Sequence, residues 1–229
     1  RHNITLVGPV VLDAGAEPSP SLCGDIFLIN VGAAPIVEQR VVAVHEGVNA
    51  ALVNLTITRG MATGGGGGVL NHGELTITGA TITGNSASRE GGGLLTKNGG
   101  STTISSTTIS DNAACVGGGV AVDDGSITLS GTTIARNKAA MSGGGLLCDE
   151  ECSAIITAST LANNTGVNGG GAANWGITTL TDSTVADNLA GMDGGGLKND
   201  GGNLTIKGSS IANNAVDLEA YNLALPAQH

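Results

Sequence analysis

Residues 74–95 read ELTITGATITGNSASREGGGLL, and the same order of residues returns four times. The copies are STTISSTTISDNAACVGGGVAV at 101–122, SITLSGTTIARNKAAMSGGGLL at 126–147, SAIITASTLANNTGVNGGGAAN at 153–174 and ITTLTDSTVADNLAGMDGGGLK at 177–198. The glycine triplets start at 91, 117, 143, 169 and 194, in steps of 26, 26, 26 and 25, and the triplet at 65–67 inside GGGGG extends the series one step back. A fixed period in this range is the signature of a solenoid, in which each repeat buries its apolar face against the next copy.

Within each repeat the apolar positions alternate with polar ones. In the first run Thr76, Thr103, Thr128, Ile155, Thr179 and Thr205 point outward, each followed by an inward Ile or Leu, from Ile77 to Ile206. In the second run Thr56, Thr81, Thr108, Thr133, Thr160, Thr184 and Ser210 point outward, with an inward column from Ile57 to Ile211. Period-two alternation over runs this short means strands and excludes helices. A third short strand follows each glycine triplet. The reading is an all-β parallel β-helix of about 26 residues and three short strands per coil, with coils about 4.8 Å apart. Asn85, Asn112, Asn137, Asn164, Asn188 and Asn214 recur after the second strand and are expected to form an internal ladder of side-chain amides. One domain is expected over 1–229: irregular coils over 1–49 with a protruding loop at 14–25, regular coils over 50–214, and a cap over 215–229 that hides open sheet edges.

Composition narrows the function classes. A net charge of −10 and only three aromatics, Phe27, Trp175 and Tyr221, argue against nucleic acid, which needs a basic stripe or stacking rings. No run of about 18 apolar residues exists to span a bilayer. The chain begins at Arg1 inside a strand-like run, so a signal peptide or upstream segment is expected before it. Cys148 and Cys152 flank DEE and are expected to close a small disulfide loop, which suits an oxidising compartment; two free thiols are the alternative, and a zinc site lacks a second pair at matching spacing. The state of Cys23 and Cys115 is open at this stage.

The stretches LTITGATITGNSASREGGGL, ITLVGPVVLDAG and LVNLTITRGMATGGGGGVLN resemble the right-handed parallel β-helix proteins of bacterial surfaces, namely the pectate-lyase-like superfamily and the polymorphic outer-membrane-protein type of repeat. The resemblance covers nearly the whole chain and implies right-handed coils, which the chirality of parallel crossovers also favours. It does not choose a function, because the fold hosts lyases, hydrolases, epimerases, adhesins and stalks.

Chemistry is sought where coils bring polar residues into register. VDDG and CDEEC place Asp123, Asp124, Asp149, Glu150 and Glu151 one coil apart, with Lys97 one coil before and Asp200 two coils after. A polysaccharide lyase of this fold would need a cation or a cationic side chain to neutralise a uronate carboxylate; converging carboxylates would suit calcium, whereas dispersed ones form a solvated acidic turn. His72 lies in the same turn column as a candidate base, with Lys97, Asp123, Asp149 and Glu150 as further catalytic candidates and Trp175 as a ring that could stack on a sugar. No catalytic motif of the lyases has a residue-by-residue match. On the first strand Thr76 and Thr78, Thr103 and Ser105, Thr128 and Ser130, and Thr179 and Thr181 form hydroxyl columns about 7 Å apart. Such a lattice is similar to the ice-binding face of β-solenoid antifreeze proteins, although Thr also simply favours strands.

These observations lead to the expectation of a secreted or cell-surface structural or adhesive module, monomeric, without a catalytic centre or cofactor of its own and with a glycan or cell-surface ligand. The first alternative is a polysaccharide lyase or carbohydrate binder for acidic glycans, and the second is an ice-binding protein using the Thr ladders.

Overall fold

The computed structural model describes residues 2–13 and 39–217. Every named strand pairs with its neighbours in parallel, and no helix occurs among the described residues. The first-strand face stacks eight strands, running His2–Asp13, Val48–Thr58, Glu74–Thr78, Leu94–Ser105, Val120–Ser130, Cys152–Thr157, Ile177–Thr181 and Asn203–Lys207. Register is strict: Ile77 pairs with Ile104, Ile104 with Leu129, Leu129 with Ile156, and Ile156 with Leu180. Each inward residue therefore meets its own copy above and below, and the largest of them are fully buried. Fully burying such a side chain contributes about 1.5–3 kcal/mol.

Two features add to the three strands of each coil. In the middle coils the third strand runs on into the first, giving the single strands Leu94–Ser105 and Val120–Ser130, joined across a register shift at Asp123/Gly125. After each corner asparagine, and after Gly60 at the equivalent corner of the first of these coils, a further short strand builds a separate ladder of seven, from Met61–Ala62 to Ala215–Val216. Ala62, Ala87 and Ala114 line its inner side. The small residues of NSAS and NAAC thus contain a fourth strand, with alanine methyl groups on its inner side.

The corners are held by two internal polar ladders. Asn112 donates from Nδ2 to Asn137 Oδ1 at 3.0 Å and to the Ile82 carbonyl at 3.0 Å, while its backbone N–H also donates to Asn137 Oδ1. The same set of bonds links Asn85 to Asn112, Asn137 to Asn164, Asn164 to Asn188 and Asn188 to Asn214. At the corner between the first and second strands, Ser159 Oγ donates to the Thr157 carbonyl and accepts from the N–H of Thr132, and Ser183 and Ser209 repeat the pattern. No buried side-chain nitrogen or oxygen among the described residues lacks a hydrogen-bond partner.

The glycine triplets carry the chain past its own copies. The N–H of Gly118 donates to the Gly143 carbonyl, and that of Gly144 to the Gly169 carbonyl. A Cβ on Gly144 would overlap the carbonyl oxygens of Gly170 and Thr165. The triplet of the first coil is Gly66–Gly68 rather than 65–67, since the Gly67 N–H bonds to Gly91 and Gly68 to Gly92. The loop expected at 14–25 lies outside the described residues, as does the expected cap beyond 217; Ala215–Val216 continue the fourth-strand ladder.

Two stability predictions follow from this packing. Replacing Asn137 by Ala removes two donated bonds and strands the Asn112 donors, so a loss of about 2–4 kcal/mol is expected. Asn214→Ala, at the half-buried last rung, should cost about 1 kcal/mol or less in the same urea titration, because water can replace the lost acceptor. Gly144→Ala should cost more than about 4 kcal/mol or yield no folded protein. Gly131→Ala, at a φ of 56° but with open space for its Cβ, should cost about 1–2 kcal/mol.

Candidate functional site

The turn that joins the third strand to the first brings one residue per coil into a column along the solenoid axis. Asn71 is in register with Thr96, Thr96 with Val122, Val122 with Cys148, and Cys148 with Asn174. The residues that follow, His72, Lys97, Asp123, Asp149 and Trp175, therefore stand one above another, with His45 before them and Asp200 after. Residues about 26 apart in sequence become neighbours about 4.8 Å apart.

The charges in and beside the column pair with one another. Lys97 Nζ lies 3.0 Å from Asp123 Oδ2 and 3.8 Å from Glu90 Oε2. Lys198 Nζ lies 3.6 Å from both Asp193 and Asp200 carboxylates and 3.3 Å from Asn168 Oδ1. These pairs are partly solvated, so each contributes about 0–1 kcal/mol and acts mainly to place the lysines. Asp149 Oδ1 accepts from the N–H of Glu150 at 3.0 Å, and the Asp149 carbonyl accepts from the N–H of Cys152, while Asp124, Glu150 and Glu151 are exposed. The five calcium candidates are strung out along the turn. Among the described residues no group of three His, Cys, Asp or Glu side chains is arranged to hold a metal ion.

Cys148 and Cys152 are joined as a disulfide, with Cα atoms 5.3 Å apart, closing the DEE turn. Cys115 is disulfide-bonded as well, and Cys23 lies outside the described residues. Trp175 is half-buried and packs on an outer apolar cluster of Leu95, Ala121, Leu147 and Ala173, leaving part of the indole in solvent. It both covers the neighbouring coils and presents a ring.

A depression of about 210 Å³ opens at the N-terminal end of the column, lined by Arg40, Gly64, Gly65, Leu70, His72, Arg89, Glu90, Leu95 and Lys97. Arg40 donates from Nε to the Gly66 carbonyl at 3.0 Å and from Nη2 to the Gly65 carbonyl at 2.9 Å, which fixes its charge beside the opening. His72 Nδ1 faces the Asn98 amide nitrogen at 2.9 Å; that nitrogen is a donor, so Nδ1 accepts and the proton sits on Nε2. Partial burial, then the positive neighbours Lys97, His45 and Arg40, hold the imidazole below its ordinary range, with Glu46 opposing. His72 and Lys97 were legible as candidates in the sequence. Arg40, Arg89 and Glu90 were not, because they fall outside the strand and turn columns, and nothing in the repeat pattern says that they meet His72 and Lys97.

The hydroxyl face is a separate surface. Thr76, Thr103 and Thr128 are exposed, and Thr179 is half-buried. Thr78 Oγ1 and Ser105 Oγ lie 3.1 Å apart, joining adjacent coils, and Thr181 continues their column. Ile155 and Ile177, at 48% and 56% exposure, interrupt the lattice with an apolar step.

Because the folded pKa of His72 lies below the unfolded value of 6.5, the unfolded chain takes up the proton first. The stabilising effect is fully present above about pH 6.5 and declines as pH falls toward the folded pKa. Urea midpoints at pH 7.5 and pH 5 should therefore drop more for the wild-type chain than for His72→Gln.

The sequence profile described as "Right handed beta helix region" matches residues 38–188, more than half of the chain. No curated protein and no solved structure matches it. The matched span contains the corner asparagines from Asn85 to Asn188, the glycine triplets up to Gly169–Gly171 and most of the turn column. With the stacked parallel coils, this match shows that the chain belongs to the right-handed β-helix family.

Proposed function

We propose that this chain is a secreted or cell-surface module, structural or adhesive, that acts through its rigid hydroxyl face and has no catalytic centre of its own. One observation carries this reading. Three columns on the first strand keep register over six coils, and their only charged members are Glu74 at one end and Lys207 at the other. Between them the face offers Ser and Thr at nearly every outward position, with Ile155 and Ile177 as apolar steps. Such a surface suits an extended, uncharged, repeating partner, of which a neutral glycan is the simplest. Two disulfide-bonded regions and the absence of a membrane-spanning helix among the described residues accord with an extracellular setting.

A second reading has its own support. His72 and Lys97 line the depression and Trp175 lies three coils further along the same column, an arrangement that a carbohydrate-active β-helix could use on acidic glycans.

The test is binding of the purified chain to insoluble neutral polysaccharides and to cell-wall preparations, with Thr128→Lys as the variant. A lysine at the centre of the face should weaken binding at least about tenfold, because a bulky charge there holds the partner off the flat surface where the few strong contacts cluster. Unchanged binding by Thr128→Lys would overturn the role of the hydroxyl face, and inhibition of ice recrystallisation lost in the same variant would redirect it to ice. Release of unsaturated uronate ends from an acidic polysaccharide, abolished by His72→Gln, would establish the second reading instead.

A further inference from the structure

We propose that Asn54, Asn163 and Asn203 are N-linked glycosylation sites, at which an oligosaccharide is joined to the side-chain amide. The proposal rests on the secreted reading given above and adds to it a covalent modification of the chain itself. Each of the three opens an acceptor triplet for this transfer, Asn54-Leu55-Thr56, Asn163-Asn164-Thr165 and Asn203-Leu204-Thr205, with no proline between Asn and Thr. A fourth triplet begins at Asn3 and forms no part of the proposal.

A pattern this short recurs by chance, and it is the fold that separates these three asparagines from the rest. Among the described residues their side chains are exposed and make no hydrogen bond. The corner asparagines from Asn85 to Asn214, and the buried Asn71 and Asn174, all use their amides in hydrogen bonds that hold the coils. Asn98, Asn168 and Asn199 are bonded through their side chains as well. None of these bonded asparagines begins an acceptor triplet. The acceptor threonines are equally unengaged: Thr205 is exposed, Thr56 and Thr165 are half-buried, and no hydroxyl of the three is hydrogen-bonded.

The backbone does not ask for an amide at these positions. Asn54 and Asn163 sit at corners with a φ of 56°, which Asn tolerates well. The equivalent corners hold Gly79, Ser106 and Ala158 in the first case and Asp111, Arg136 and Asp187 in the second. Asn203 follows Ser153 and Ile177 in its column. Thr165 is paired with Lys138 and Leu189, so a threonine enters that column in the coil where an exposed Asn stands two residues earlier. Transfer precedes or accompanies folding, and the finished fold then acts as a filter. A glycan on Asn137 would occupy the place of the next coil, whereas one on Asn54, Asn163 or Asn203 extends into solvent. In the transfer the Asn Nδ2 attacks the anomeric carbon of a polyprenyl-pyrophosphate-linked oligosaccharide held by a membrane transferase. The Nδ2–C1 bond forms, the C1–O bond breaks with its electron pair leaving on the lipid pyrophosphate, and the amide proton passes to a base of the transferase.

The experiment takes the full chain from the cells that make it, separates the external from the internal fraction, and treats its peptides with a glycanase that releases N-glycans and leaves Asp behind. In the external chain, conversion to Asp at positions 54, 163 and 203 is expected only after the glycanase. Asn49 and Asn213, which also make no side-chain hydrogen bond but begin no triplet, should stay unchanged. Thr165→Ala should abolish the glycan on Asn163 and leave those on Asn54 and Asn203, while Thr165→Ser keeps all three. An external chain with unmodified Asn at all three positions overturns the proposal and leaves the secreted reading standing. A chain found only inside the cell and unmodified overturns both. Sugar attached to Ser or Thr instead, or a glycan that persists on Asn163 in Thr165→Ala, overturns the proposal as well.

Discussion

The stack of buried asparagine amides is the contact on which the rest of this solenoid depends. Each corner Asn inside the stack accepts from the backbone and side chain of the preceding corner and donates to the next, so the amide of each coil is satisfied by its neighbours. The bonds join residues 24 to 27 apart, and the variation is absorbed elsewhere in the coil. With the corner held, the inward Ile and Leu columns fall into register, and the outward columns follow because strand side chains alternate. The serine and threonine ladder at the opposite corner repeats the device with hydroxyls. Polar satisfaction and apolar stacking thus enforce the same register.

Register also explains how so acidic a chain carries a positive depression. The solenoid turns a sequence separation of one repeat into contact, so a single cation in each of several coils becomes a cluster. Lys97 is shared between Glu90 and Asp123, and Lys198, in the neighbouring column, between Asp193 and Asp200, so these lysines are placed by carboxylates on the same and neighbouring coils. Towards the N-terminal end the column loses its carboxylates and gains His72, and the facing wall supplies Arg89. The gradient along the turn column, from cationic through acidic to aromatic, comes from non-identical residues at equivalent positions of near-identical repeats.

The strands, the period and the Asn ladder were legible in the sequence because each rests on a repeated residue type at a repeated place. Thr76 to Thr205 and Ile77 to Ile206 declare their faces by alternation alone. The fourth strand was not legible, since two residues such as Ser86–Ala87 or Ala113–Ala114 show no period, and only pairing with the adjacent coils makes them a ladder. The hydroxyl corner was hidden for a related reason: Thr107, Thr132 and Ser159 read as ordinary strand-flanking residues until their inward turn is seen. The start of the first triplet, ambiguous within GGGGG, was decided by which N–H meets which carbonyl.

By itself, the sequence determined the parallel β-helix, its coil length, which residues face inward, and that His72, Lys97, Asp123, Asp149 and Trp175 share a column, because all of these are consequences of a period. Tertiary structure alone decided which side chains meet across the coil. It set Arg89 and Arg40 beside His72 and Lys97, paired Lys97 with Asp123, strung the acidic residues along the turn and laid Trp175 on its apolar cluster. The physical reason is that contact across a coil depends on how each corner bends the backbone, and the bend is fixed by buried hydrogen bonds and by glycines with no room for a Cβ, not by the local pattern of polar and apolar residues.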